Sequence, residues 1–477
     1  MHERSSVGEL AARLRTELER YSVGEKLPSS RALVERLQVS PVTVSRAIAV
    51  LVGEGVVVSR PGAGVFRAAP RATTAAPRDF SWQEVALSAE AGQPPSRSTD
   101  ASGVLAALAV PPPDVIDLNS GYLHPSLQPE RALAAALARA GRRPGAWERP
   151  PVDGLTELRA WFARDIGGDI ATSDVLIAAG GQSALTTALR SLVAPGAPVL
   201  VESPTYPGIL AVARAAGLRP VPVPVDGDGV RTDLLADAFA ATRARAFVCQ
   251  PLFQNPTGAV LSPERRREVL RIARAAGAFV IEDDFARRLV HADAPALPLP
   301  LAADDPDGVV VHVRSLTKAA SPSLRVSALT ARGPALERLR AVQAVDSFFV
   351  PRPLQETALE LVGSPAWARQ LRELATALRD RRRAAATALR RTLPDSLPPQ
   401  LPYGGYHLWL RLPDGRDELA LTAAALRAGV AVTAGRPYFA AEAPAPHLRI
   451  SYACAPGPAQ VTEGVERLTR AYGETAG

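Results

Sequence analysis

The chain has 477 residues, of which 47% are hydrophobic, and carries a formal net charge of +7. That length is too great for one ordinary core, so two or more domains are expected, and the positive balance permits contact with polyanions. No apolar run reaches membrane-spanning length and MHERSSVGEL lacks an apolar signal core, so a soluble, cytoplasmic protein with no membrane partner is expected.

Val7, Leu10, Leu14 and Leu18 fall on one face of a first helix. GEKLPSSRALVERLQ starts a second, with Pro28 and Ser29 at its beginning and Leu33 and Leu37 facing inward. VSPVTVSRAIAVLVGEG places a third helix after a tight turn, with Val44, Ile48 and Leu51 buried. VVVSRPGAGVFRA then reads as two short strands joined at Pro61-Gly62. Helix, helix–turn–helix and hairpin wing make a winged helix-turn-helix. Its third helix is expected to enter the DNA major groove, where side chains near the helix start reach base edges.

Residues 69–113 are rich in Ala, Pro, Ser and Thr and end in Pro111-Pro112-Pro113. They read as an extended linker, with a short helix expected over Trp82 to Glu90. Beyond it, apolar runs alternate with amphipathic helices. The runs are VLIAAG, PVLVES, AFVCQP, AFVIEDD and VVVHVRS. Continuous apolar strands separated by helices predict a parallel sheet covered on both faces. Cys249 and Cys454 lie in apolar segments and read as buried thiols, not a disulfide. The six histidines show no ligand spacing, so no metal site is expected.

Of 55 basic residues only Lys26 and Lys318 are lysines. Arginine keeps its proton near neutral pH, whereas a lysine can lose it and so form a Schiff base. Lys318 follows a strand in SLTKAASPSLR. Ser315, Thr317 and Arg325 around it suit a phosphate, and the amine suits an aldehyde. A phosphorylated aldehyde cofactor satisfies both. Gly181 and Gln182 open a helix after a strand, where amide donors meet phosphate. Tyr206 in ESPTYPG can stack on a pyridine, and Asn255 in FQNPTG can reach a phenolic oxygen. Asp283 in IEDDF can hold a pyridine nitrogen protonated.

Residues 5 to about 68 resemble the GntR family of transcription regulators, through LPSSRALVERLQVSPVTVSRAI and SRPGAGVF. The resemblance implies that Arg31, Ser40, Thr43, Ser45 and Arg46 touch DNA, with Arg60 and Gly62 at the wing. Pro41 stands where that family often has a base-reading arginine, which shifts readout toward Ser45 and Arg46. From about residue 114 the chain resembles class I and II aminotransferases of pyridoxal phosphate fold type I. This implies a multidomain fold: a mainly α winged helix-turn-helix over 1–68, the linker over 69–113, and a large α/β domain over 114–477. It makes Lys318 the internal aldimine lysine of pyridoxal 5'-phosphate, Asp283 the pyridinium partner, Asn255 the phenolate partner and Tyr206 the stacking ring. Ser315, Thr317 and Arg325 become phosphate ligands, and Arg449 in HLRISYA the grip on a substrate carboxylate.

Two departures stand out. Phe285 and Ala286 occupy positions where aminotransferases carry a tyrosine, and Arg149 replaces a tyrosine that in the family reaches the partner subunit's phosphate. Cofactor binding is expected to be intact and transamination slow. The whole chain resembles the MocR subfamily of regulators. That implies a head-to-tail homodimer on a double-stranded DNA operator, sensing a small amine or a vitamin B6 form at Lys318. The alternative is a working aminotransferase carrying a DNA-binding domain.

Overall fold

The computed structural model describes residues 2–69, 97 and 100–474. The chain divides into two compact units, Met1–Gly92 and Gln93–Gly477.

In the first unit, helices span His2–Glu17, Ser30–Leu37 and Pro41–Gly53, followed by antiparallel strands Val57–Arg60 and Gly64–Arg67. Leu10, Leu14, Leu33, Val44 and Leu51 form its buried core, with Val7, Leu37 and Ile48 packed at the edge. Local chemistry explains the boundaries. The Ser29 hydroxyl accepts the Ala32 N–H at 3.2 Å, and the Ser40 hydroxyl accepts the Thr43 N–H at 3.1 Å. Each satisfies one orphan donor of a first turn. Pro41 sits at the first helical position, where its missing N–H costs nothing. Gln38 adopts φ 52°, which stops the second helix and makes the tight turn.

The second unit is built on an eight-stranded sheet. In spatial order its strands are Val175–Ala178, Ser327–Thr330, Val310–Ser315, Phe279–Asp283, Ala246–Cys249, Pro198–Ser203, Arg219–Asp226 and Gly229–Val230. Apolar clusters lie on both faces, one around Leu185, Val201 and Leu329, the other around Phe239, Phe247 and Val280. The expectation of a wholly parallel sheet needs correction. Ser327–Thr330 runs antiparallel to both of its neighbours, and Gly229–Val230 antiparallel to Arg219–Asp226. The chain leaves Ser315 and returns at Ser327, its partner in register, by a path too short for a crossover helix. That path carries Lys318.

The long helix Pro365–Thr392 leads to a smaller antiparallel sheet of His407–Arg411, His447–Ser451 and Thr433–Ala434. Within the stretch expected to be extended linker, Ser102–Leu108 is a helix. The helix expected over Trp82 to Glu90 lies outside the described residues. Cys249 and Cys454 are buried free thiols. No helix among the described residues is long and apolar enough to cross a membrane.

Candidate cofactor and effector site

Five strand ends of the large sheet converge on one cavity. Gly181, Gln182, Tyr206, Asn255, Asp283, Ser315, Thr317, Lys318, Arg325 and Arg449 all line it. Their placement follows from the topology: each sits at or just past the carboxyl end of a strand, or at the helix start that follows it. The exceptions are Arg325, which lies just before strand Ser327–Thr330, and Arg449, which comes from the smaller sheet on His447–Ser451.

At one end, the helix Gly181–Leu192 points its free first-turn N–H groups toward Ser315, Thr317 and Arg325. Gly180 caps it at φ 89°, and a Cβ there would lie 2.5 Å from Arg325 Nη2. Only glycine leaves that guanidinium its place. Arg325 donates to the Ala179 carbonyl at 2.9 Å and has no carboxylate partner among the described residues. Thr317 Oγ1 is buried without a partner. In the middle, Lys318 Nζ donates to the Gly121 carbonyl at 2.7 Å and lies 4.1 Å from the Tyr122 ring centroid. At the far end Arg449, 2% exposed, donates to the Asn119 carbonyl at 2.5 Å, and its Nε has no partner. It too lacks a carboxylate among the described residues.

The cavity therefore holds three cations and one buried anion, Asp283. Burial pulls the Lys318 amine down to about 8, with the Arg449 charge acting in the same direction. Burial also pushes the Asp283 carboxyl up to about 6, against the Gln250 hydrogen bond. Lys318 thus holds a substantial neutral fraction near pH 8. Burial raises the Tyr206 and Tyr406 hydroxyls as well, so both stay protonated.

A residue not singled out from the sequence organises this floor. Gln250 follows the strand Ala246–Cys249, is 2% exposed and lines the cavity. Its Nε2 donates to Asp283 Oδ2 at 2.7 Å while its Oε1 accepts the Asn255 N–H at 3.0 Å. Its own N–H goes to the buried Glu202 carboxylate at 3.0 Å. Glutamine before a proline-rich loop has no distinctive sequence signal; only the fold reveals it.

Behind Asp283, the ligand atoms of Glu282, Asp284 and His312 lie within 4.8 Å of one another. Arg314 and Arg287 hold Asp284, while the Leu301 and Ala302 amides hold Glu282. Asp284 Oδ1 and His312 Nε2 are left without hydrogen-bond partners, and the group ties neighbouring strands together.

Residues 113–468 match the family described as aminotransferase class I and II. The chain belongs to that family. Residues 7–66 match the gntR family of bacterial regulatory proteins, so this aminotransferase-family chain carries a DNA-binding domain at its N-terminal end. Together the two make a MocR-type regulator. A 2-aminoadipate transaminase of Thermus thermophilus is 32% identical over 75% of this chain and 90% of its own. The HTH-type transcriptional regulator TauR of Rhodobacter capsulatus is 30% identical over 95% of this chain and 93% of its own. Among solved structures, LysN, the α-aminoadipate aminotransferase of Thermus thermophilus complexed with N-(5'-phosphopyridoxyl)-L-leucine, has a TM-score of 0.75 and 31% identity. The match covers 83% of this chain and 99% of that one.

The aminotransferase family uses pyridoxal 5'-phosphate, and the residues here fit that group. Thr317 Oγ1, Asn255 Oδ1 and Arg449 Nε are buried polar atoms without partners, and the Gly180–Arg325 cradle admits no Cβ. Such orphans are rare unless a ligand completes them.

In the gntR-family domain, Arg31, Ser45, Arg46, Arg60 and Gly62 are exposed. Gly62 turns the wing at φ 75°, and the Arg60 guanidinium covers the Phe66 ring at 4.8 Å. Thr43, expected at DNA, is turned inward. It is 8% exposed, and its hydroxyl lies 2.8 Å from Ser40 Oγ. It is buried with Val44 and Ala47, and its hydroxyl joins the Ser40 cap at the helix start. Ser40 is exposed but its hydroxyl serves as the cap.

Proposed function

We infer that this DNA-binding regulator holds pyridoxal 5'-phosphate at Lys318 and uses that site to sense a small amine or a vitamin B6 form. The observation that carries this is the pair of buried or half-buried arginines, Arg325 and Arg449, lining one cavity with no carboxylate among the described residues to match them. One fits the cofactor phosphate, the other an incoming carboxylate. Lys318, between them, is the amine that the cofactor aldehyde requires. When bound, the cofactor supplies an aldehyde that exchanges amines and a ring that withdraws electrons. Asp283 holds charge opposite the ring nitrogen, and Gln250 keeps that carboxylate aimed. Asn255 faces the ring oxygen and Tyr206 the ring plane.

The regulator acts as a head-to-tail homodimer on paired half-sites of double-stranded DNA. Exposed Trp147, Val345 and Phe348, 83%, 82% and 71% accessible, support a surface made for a second copy. Arg149, close to Trp147 in sequence, is exposed and so free to reach a partner's phosphate site in this reading. An amine that displaces Lys318 shifts the large domain between two states, and the linker of residues 69–113 conveys the shift. Such a ligand acts only through its differential affinity for those states.

One observation favours a second reading, a working transaminase: the likeness to the Thermus enzyme spans most of that enzyme's length. Against it, Phe285 borders the cavity where a hydroxyl would tune the amine. The test is spectroscopic. Purified protein loaded with the cofactor should show visible absorbance that Lys318→Ala abolishes, and amines should change both that absorbance and operator affinity. Steady turnover with a keto acid acceptor, with no effect of amines on DNA binding, would establish the enzyme instead.

A further inference from the structure

The helix Ser102–Leu108 turns Val104, Ala107 and Leu108 into the cavity. Their spacing of three and four places them on one helical face. Its sequence, SGVLAAL, holds no charge and no side-chain amide. Of the three cations lining the cavity, Lys318 and Arg325 belong to the cofactor in the reading above, which leaves Arg449 alone for an incoming ligand. Leu185 and Phe285 extend the apolar lining. The wall and the cation are also tied together. Asn119 Nδ2 donates to the Ala106 carbonyl at 2.8 Å, and the Asn119 carbonyl accepts from Arg449 at 2.5 Å. The distance between the carboxylate grip and the apolar helix is thereby set by one residue.

We propose that the effector is an α-amino acid with a single carboxylate and an apolar side chain, and that Val104 and Leu108 select it. The proposal rests on the reading of the Lys318 site as an amine sensor. Arg449 takes the carboxylate, the amine reaches the cofactor, and the side chain lies against the helix. A second carboxylate or a terminal ammonium would lose its water against Val104 and Leu108 and meet no group of opposite charge there. Each methylene laid on the wall raises affinity by about fourfold.

The test uses the full-length protein loaded with pyridoxal 5'-phosphate. Leucine, norleucine, glutamate, lysine and isoamylamine are titrated separately, and the absorbance of the bound cofactor is followed. Leucine and norleucine should act at concentrations at least about tenfold below those of glutamate and lysine. Isoamylamine, which lacks the carboxylate, should fall behind leucine. Val104→Arg should reverse the order in favour of glutamate. Leu108→Ala, at a half-exposed position, should weaken leucine several-fold and leave glutamate unchanged. Preference of the unaltered protein for glutamate or lysine overturns the proposal and leaves the sensor reading standing. So does an unchanged order in both variants. If none of the amines perturbs the spectrum, this proposal fails together with the amine arm of the sensor reading, whereas the vitamin B6 arm stands.

Discussion

Gln250 donates to Asp283 at 2.7 Å and accepts from the backbone of Asn255 at 3.0 Å, so one amide joins two residues of the cavity lining. The Asn255 N–H can only donate, which settles the amide orientation: Oε1 toward Asn255, Nε2 toward Asp283. Gln250 bonds Asp283 through Oδ2, and in the proposed reading Oδ1 would serve the ring nitrogen.

Replacing that amide should change how cofactor affinity depends on pH. The Asp283 carboxyl already stands at about 6 because of burial, and the Gln250 hydrogen bond holds it down. Gln250→Leu removes the restraint, so the carboxyl rises further and is neutral over a wider acid range. Cofactor affinity at pH 6 to 7 should fall by roughly tenfold. At pH 9, where the carboxylate is ionised in both proteins, the gap should narrow. Equilibrium titration of the cofactor at several pH values measures this; a pH-independent loss would mean Gln250 acts only as packing.

Capture of the cofactor should accelerate with pH up to about 8. Lys318 reacts as the neutral amine, and burial has brought it down to about 8 from the usual lysine range. Below that value each pH unit lowers the neutral fraction about tenfold; above it the rate should level. Stopped-flow absorbance of the cofactor-free protein mixed with pyridoxal 5'-phosphate reads the profile. A midpoint near 10 would contradict the influence of burial and Arg449.

Gly180→Ala should weaken cofactor binding without unfolding the domain. The new Cβ would lie 2.5 Å from Arg325 Nη2 at a backbone φ of 89°. Displacing a charge-assisted donor costs about 1.5–3 kcal/mol, or roughly one to two decades of affinity. Circular dichroism should stay unchanged while the dissociation constant rises. Gly181→Ala, where the nearest atom is 3.8 Å away, serves as the mild control.

Ser40 and Arg46 should separate stability from recognition in the DNA-binding domain. Ser40→Ala removes the helix cap and should cost about 1 kcal/mol of that domain's stability, read in denaturant melts. Arg46→Ala, exposed on the same helix, should leave the melt unchanged and weaken operator binding by about 1–3 kcal/mol, measured by fluorescence anisotropy at fixed salt.

Much of this site was legible because its residues each follow a strand. Lys318, Asp283, Asn255 and Arg325 sit in short motifs whose order along the chain announces one sheet edge. Gln250 was not legible, because an amide that binds other side chains carries no spacing of its own. Thr43 was misjudged, since a hydroxyl in a helix first turn serves DNA or the cap equally well by pattern. The helix Ser102–Leu108 was hidden by the alanine- and proline-rich composition around it. Strand Arg219–Asp226 carries three alternating prolines and does not read as an interior strand.

By itself the sequence determined which chemistries were possible. Almost no lysine remains, which singles out Lys318 in SLTK as an amine among hydroxyls, and LPSSRALVERLQVSPVTVSRAI carries the pattern of the gntR family. Those conclusions are local, set by residue type, helix period and the chemistry of a few neighbours. Tertiary structure alone decided which groups meet. It set Gln250 between Asp283 and Asn255, left Arg449 and Arg325 without carboxylate partners among the described residues, and turned Val104 and Leu108 into the cavity. The contact from Arg449 to Asn119 joins residues 330 positions apart. Its partners are chosen by sheet order and helix packing, which no short window of sequence contains.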